Sequence, residues 1–436
     1  MNFCGKRVLV YGLGISGQAV CKLLHMQGAC VSVYDDENRF GNLFPFEKNP
    51  LSKEFDMVVV SPGIKVHGNK LIAHFALKRT KILSELDVGY LFCKGKIIGI
   101  TGTNGKTTVT SLVGDIFRCA GRESVVCGNI GIPLATVAGN LSKNGVAICE
   151  VSNFQLELSS LFKADVCAIL NLAPDHLDRH SSEEEYYQIK RKIISGKRSQ
   201  KVVLNFDDER VKNINLRKNT LFFSKKQLKK GVFVKNNAIF HNRTRVISLS
   251  EIPLFGEKNL ENVLAAIALA RVFHIKPKQI RHAILSYKAP QHRLEYLGKV
   301  QGADIFDDSK ATNISAVISA VDSVGPDGLV LMLGGQNKDF EFDEIFNKGY
   351  PFERVISFGQ SGEEIALCGE KYGYKVVHFS TMKEACLFAK QNIQSGQKIL
   401  LSPACASFDE FSSYAVRGRV FKEIMFGEED IVEIEG

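Results

Sequence analysis

Residues 102–108 read Gly102-Thr-Asn-Gly-Lys-Thr-Thr108 and stand between the apolar run Ile97-Ile-Gly-Ile100 and the helix-like stretch 109–119. A buried strand, a glycine-rich turn and a helix start, in that order, turn backbone N–H groups into a cradle for phosphate oxygens. Gly102 and Gly105 let the chain approach the oxyanions with no Cβ in the way. Lys106 adds a full positive charge to the helix N-terminus, and the Thr107 hydroxyl is placed to ligate Mg²⁺. A strict P-loop carries a glycine five residues before Gly105, where this chain has Ile100, so the loop is a shorter variant. The reading that follows is of a nucleoside triphosphate held at the turn.

Composition sets the frame around that turn. A chain of 436 residues is too long for one core and predicts three domains. Hydrophobic content of 45% and charged content of 24% are those of a soluble globular protein. Met1-Asn-Phe-Cys-Gly-Lys-Arg7 lacks the apolar core of a signal peptide, and no apolar run approaches the ~20 residues of a membrane span. Eleven cysteines stand singly, without CxxC spacing, which predicts reduced thiols in the cytoplasm. The net charge of +9 raises nucleic acid as a partner. Lys225-Lys226 and Lys229-Lys230 lack interleaved aromatic residues, however, so a solvated face is expected instead.

The fold class is α/β. In residues 1–93 short strands at 7–11, 30–34 and 57–61 alternate with a helix at 16–27, predicting a Rossmann-like parallel sheet. Gly12-Leu-Gly-Ile-Ser-Gly17 sits at its first strand-to-helix turn, and Asp35 and Asp36 follow the second strand at ribose-binding spacing. That geometry fixes where a diphosphate lies and leaves the nucleotide open. Residues 94–289 predict a central, P-loop ATPase-like, mostly parallel sheet with strands at 97–101, 146–150, 166–171 and 201–205. A small β insert at 231–247 turns at Asn236-Asn237, and a helix at 260–274 has Asn259 near its start. Residues 290–436 predict a second Rossmann-like sheet with strands at 303–306, 329–333, 355–358, 375–378 and 399–401.

Several polar groups fall at the ends of these strands. Glu150 closes Val146-Ala-Ile-Cys149 on the edge that carries the phosphate loop, where a carboxylate can hold Mg²⁺. His176 and His180 are spaced four apart, but no third zinc ligand stands nearby; His176 is either a neighbour of the phosphate site or a structural loop histidine. Lys190 shares its stretch with Arg191 and Lys192, and composition alone does not single it out. Asp307-Asp-Ser-Lys-Ala-Thr-Asn313, Gly334-Gly-Gln-Asn-Lys338 and Ser402-Pro-Ala-Cys-Ala-Ser407 each follow a strand of the third sheet, forming a candidate second pocket. His292-Arg293 reads as a reach toward phosphate or as an interface ion pair.

Taken together these motifs resemble the Mur ligase family, the ATP-dependent amino-acid-adding enzymes of peptidoglycan synthesis. The likeness runs through Gly12–Gly17, Thr101–Thr108, Gly128-Asn-Ile-Gly131, Phe154-Gln-Leu-Glu157, Asp175-His-Leu-Asp-Arg179, Asp308-Ser-Lys-Ala-Thr-Asn313 and Leu401–Ser407. Asp308–Asn313 points to the branch that adds D-glutamate to UDP-N-acetylmuramoyl-L-alanine. The resemblance implies that Gly14, Ile15, Ser16, Gly17, Asp35, Ser61, Pro62 and Gly63 hold the UDP-sugar, with Asn129 and Gln155. It implies that Gly102, Thr103, Asn104, Gly105, Lys106, Thr107, Thr108, Asn259, Arg293 and Asp308 bind ATP. Lys310, Thr312, Lys338, Ser407 and Tyr414 would line the D-glutamate site, the family commonly having Phe at the last. Thr107, Glu150, His176 and Lys190, the last carbamylated by CO₂, would hold two Mg²⁺ ions. Lys106, His176, Lys190 and Lys310 would be catalytic. Two departures stand out: Asn153 replaces a common Ser, and Asp35-Asp-Glu37 lacks the Thr-Arg pair sometimes found beside the uracil. A cytoplasmic monomer with no nucleic-acid partner and no membrane span is expected.

Overall fold

The computed structural model describes residues 2–37, 44–174, 182–194, 199–214, 219–254, 256–288, 291–337 and 341–427. The first sheet holds β1 (Arg7–Tyr11), β2 (Cys30–Tyr34), β3 (Met57–Val60) and β4 (Lys81–Ser84), all parallel, in the order β2-β1-β3-β4. The strand order reverses between β1 and β3, and ligands of open α/β sheets bind at such switch points. Sequence patterning misses β4 because it is four residues long and opens on an exposed lysine. Tertiary pairing with β3 makes it a strand.

The second sheet comprises β5 (Lys96–Thr101), β6 (Ser124–Gly128), β7 (Val146–Glu150), β8 (Val166–Ile169), β9 (Lys201–Asn205), β10 (Thr220–Ser224), β11 (Val232–Lys235), β12 (Ala238–His241) and β13 (Thr244–Ser248). Their order is β13-β12-β11-β10-β9-β8-β5-β7-β6. The expected β insert is thus an extension of the central sheet. β11 pairs parallel with β10, and β12 and β13 fold back antiparallel beyond it. Asn236 and Asn237 take positive φ values of 45° and 57°, the backbone a tight two-residue hairpin requires. The strand expected at 166–171 stops at Ile169, which lets Asn171 turn toward the glycine turn at Asn104.

The third sheet is built from β14 (Glu295–Val300), β15 (Ala303–Asp307), β16 (Leu329–Gly334), β17 (Arg354–Phe358), β18 (Val376–Phe379) and β19 (Lys398–Ala404), in the order β14-β15-β19-β16-β17-β18. Only β14, invisible to patterning, runs antiparallel to its neighbour. β16 is buried along its whole length, as its run Leu-Val-Leu-Met-Leu-Gly predicts for a strand covered on both faces. The final helix begins at Tyr414, where the Ser413 hydroxyl caps it by accepting from the Val416 N–H. The chain divides into two compact units, Met1–Pro253 with Leu260–Tyr287 and Leu254–Asn259 with Lys288–Gly436. The first two sheets therefore share a unit.

Candidate active site

β5 delivers the chain into the glycine turn, and the helix Lys106–Cys119 leaves it. Gly105 is the residue before that helix, at φ 80°, and a Cβ there would lie 2.1 Å from Asn262 Oδ1. Glycine is therefore required at this position by backbone and by space together. Asn104 N donates to Asn171 Oδ1 at 2.8 Å, and Asn171 Nδ2 donates back to Asn104 O at 3.2 Å. Thr103 N donates to Asn171 O at 3.1 Å, and Thr103 Oγ1 donates to Ala173 O at 3.1 Å. The turn is thus pinned from outside before any ligand arrives.

Charge is gathered on it. Lys106 Nζ donates to Gly102 O at 2.9 Å and to Thr103 O at 2.7 Å, folding over its own loop. Thr107 Oγ1 donates to Glu150 Oε2 at 2.8 Å, and Asn129 Nδ2 donates to Glu150 Oε1, also at 2.8 Å. The sheet explains this meeting: Glu150 is in register with Ile100 on one side and Gly128 on the other. Lys190, in the helix Glu183–Arg191, is 1% exposed, and its Nζ donates to Gly102 O at 2.9 Å. The same ammonium lies 4.6 Å from the Tyr186 ring centroid. A buried lysine aimed at the glycine turn is thus separated from Arg191, which pairs with Glu184, and from Lys192, which caps Leu156 and Glu157 carbonyls. His176 lies outside the described residues, as does Lys338.

In the first sheet, the Gly12–Gly17 turn and Ser61 meet at the switch point, where Ser61 Oγ donates to Gly12 O at 2.8 Å. Asp35 is buried, and its carboxylate accepts from Leu13 N at 2.7 Å and Glu37 N at 3.0 Å, shaping the loop. Gln155 caps the helix Asn153–Glu157, its Oε1 accepting from Ser152 N at 3.0 Å.

The second compact unit holds the other cluster. Asp308 accepts from Leu294 N at 3.0 Å and Ser402 Oγ at 2.9 Å. Burial raises its carboxyl to about 7, the neighbouring Asp307 adding to the rise and Arg293 opposing it. Lys310 Nζ donates to the Tyr414 hydroxyl at 3.1 Å and sits 4.7 Å from the ring centroid. Thr312 is half-buried in the same loop, and Ser407 is buried at the end of the loop after β19. Residues that sequence reading missed are Asn171, Asn262, Tyr186 and Arg417. For Asn171 a signal existed, since it is the polar residue ending a buried run on the ligand edge. Asn262 lies inside the helix Glu257–Val272 and Arg417 in the first turn of the helix Tyr414–Phe426, where nothing in the sequence separates either from a core residue.

Residues 100–270 match the Mur ligase middle domain, and residues 292–405 match the Mur ligase glutamate ligase domain. A protein of Thermoanaerobacter sp. (strain X514) named UDP-N-acetylmuramoylalanine--D-glutamate ligase is 36% identical over 97% of this chain and 98% of its own length. One of the same name from Koribacter versatilis is 36% identical over 98% of each. Among solved structures, a MurF ligase from Thermotoga maritima in complex with ADP superposes with TM-score 0.60 at 17% identity, covering 99% of this chain and 96% of that one. A pseudomurein peptide ligase type C from Methanothermus fervidus gives 0.59 at 19% identity, covering 99% and 100%. At those identities the structural likeness speaks for the fold, and the full-length sequence matches carry the assignment. The chain belongs to the Mur ligase family.

Proposed function

We propose that this chain joins D-glutamate to UDP-N-acetylmuramoyl-L-alanine with hydrolysis of ATP to ADP and phosphate, supplying peptidoglycan precursors. The observation that carries the reading is the group on the glycine turn, where the Thr107 hydroxyl meets the Glu150 carboxylate and Lys106 and Lys190 converge on Gly102 O. A carboxylate resists attack by an amine, so one oxygen of the L-alanyl carboxylate first attacks the γ-phosphorus of ATP and ADP leaves. The amine of D-glutamate then attacks the acyl carbon, the C–N bond forms, the C–O bond to phosphate breaks, and the amine loses a proton. Lys106 neutralises charge on the transferring phosphoryl group, and the turn holds it in line. Asn259, Arg293 and Asp308 are the further ATP contacts in this reading.

Thr107 and Glu150 present hard oxygen donors 2.8 Å apart at the end of the central sheet, which suits Mg²⁺. Those two, with His176 and Lys190, would hold two ions, which when bound neutralise phosphate charge. Addition of CO₂ to the neutral Lys190 amine, with loss of a proton, would make an anionic oxygen ligand. Gly14, Ile15, Ser16, Gly17, Asp35, Ser61, Pro62, Gly63, Asn129 and Gln155 are assigned to the sugar nucleotide. Lys310, Thr312, Lys338, Ser407 and Tyr414 are assigned to D-glutamate. The reading carries three domains bounded near residues 93 and 289, and a monomer in the cytoplasm without a nucleic-acid partner. Among the described residues no helix is long and apolar enough to cross a membrane.

The test is phosphate release with ATP, Mg²⁺, UDP-N-acetylmuramoyl-L-alanine and either D- or L-glutamate. One phosphate per amide is expected, with D-glutamate alone; release indifferent to both substrates, or stimulated by oligonucleotides, contradicts the reading.

A further inference from the structure

Arg417 lies in the helix Tyr414–Phe426 with 0% of its surface exposed. Among the described residues no carboxylate is hydrogen-bonded to its guanidinium. Its donors go to the loops that leave three strands of the third sheet. Nε donates to Ser309 Oγ at 3.0 Å and Nη2 to Ser309 O at 2.8 Å, in the loop after β15. Nη2 also donates to Cys405 O at 3.0 Å and Nη1 to Ala406 O at 3.2 Å, in the loop after β19. Nη1 reaches Gly334 O, at 3.5 Å, where β16 ends. Gly335, at φ 122°, lets these strands close up: a Cβ there would lie 2.2 Å from Ala406 O and 2.9 Å from Arg417 Nη1. Gln336 and Ala406 exchange backbone hydrogen bonds at 2.9 and 3.0 Å across the same gap. Ser309 Oγ then donates to Tyr414 O at 2.8 Å, tying the first loop back to the helix that carries the arginine.

A buried charge costs stability even with Asp409, Asp307 and Glu410 close enough to favour it, and an apolar side chain would fill the space at less cost. What an apolar residue cannot do is satisfy five acceptors from separate loops in one plane, and a lysine has neither the donors nor the fork. We propose that Arg417 is the positioning residue of the amino-acid pocket, its guanidinium setting the mutual placement of the three loops so that Lys310, Thr312 and Ser407 present one surface to D-glutamate. This rests on the D-glutamate reading above. Burial lowers the guanidinium to about 10, so it stays charged throughout the neutral range.

The experiment measures KM for D-glutamate, ATP and UDP-N-acetylmuramoyl-L-alanine separately in the wild type, Arg417→Lys and Ser309→Ala. Arg417→Lys keeps the charge and loses the fork, and should raise the D-glutamate KM about tenfold or more, with the other two constants within about twofold. Ser309→Ala removes one acceptor and should raise the same constant about threefold. A D-glutamate KM within about twofold of wild type in Arg417→Lys, or an equal rise for all three substrates, overturns the proposal. If Arg417→Lys does not fold, Ser309→Ala decides alone: an unchanged D-glutamate KM overturns it. A wild-type chain that never uses D-glutamate overturns the functional reading, and the clamp falls with it; that result is visible before any variant is made.

Discussion

At the scale of single residues, Lys190 and Asp308 are buried ionisable groups whose positions demand a reason. Lys190 is 1% exposed and aimed at Gly102 O of the glycine turn. Lys190→Ala should lose about a hundredfold or more of turnover, with part of it restored by formate or acetate, since a small carboxylate can occupy the space and supply the missing oxygen. Full activity without rescue rules out the carbamate. Asp308 titrates at about 7 in the folded chain. Its raised value means the folded state binds a proton more tightly than the unfolded one, so burial of the ionised form counts against stability increasingly from about pH 4 to about pH 7. Asn cannot ionise. Whatever constant offset Asp308→Asn introduces, its stability relative to wild type should climb through that window and level off above it, as urea unfolding at pH 4.5, 6 and 8 would show. A flat difference would mean the carboxyl is not raised.

At the scale of elements, the helix Glu85–Phe92 shows how one side chain fixes a connection. Asp87, buried in its first turn, accepts from Ser84 N at 3.2 Å, closing a capping box, and from Ser159 Oγ at 2.7 Å. It also accepts from the backbone N–H groups of Ser160, Leu161 and Phe162, at 3.2, 2.9 and 2.9 Å. Asp87→Ala would leave five donors without partners, the Ser84 and Phe162 N–H groups buried and the others part-buried, and at roughly 1–3 kcal/mol for each buried one a loss of about 3 kcal/mol or more is expected in denaturant melts. A loss below ~1 kcal/mol would mean that water satisfies them. Most such elements were legible in sequence where a hydrophobic run was long and bounded, as with β16 and the helix Glu257–Val272. Short strands such as β4 were not, because four residues carry too little pattern and their state is decided by a neighbour.

At the scale of the whole molecule, the chain has two compact units with separate hydrophobic clusters, the third sheet's clusters lying wholly within the second unit. Calorimetry should resolve two transitions. Asp87→Ala should lower one and Arg417→Lys the other, each leaving its counterpart in place; a single transition shifted by both variants would show that the units unfold as one. The sequence by itself determined the α/β class, the glycine turn and its lysine, and the strand-end positions of Glu150 and Asp308, because local spacing and strand polarity place those groups on the sheet edge whatever the rest of the chain does. Only the tertiary structure decided that Lys190 rather than Arg191 or Lys192 faces the turn, that Asn262 closes over Gly105, and that Arg417 gathers three loops. Those choices depend on which helix face is buried against which loop, and residues far apart in the chain carry no shared pattern to announce their meeting.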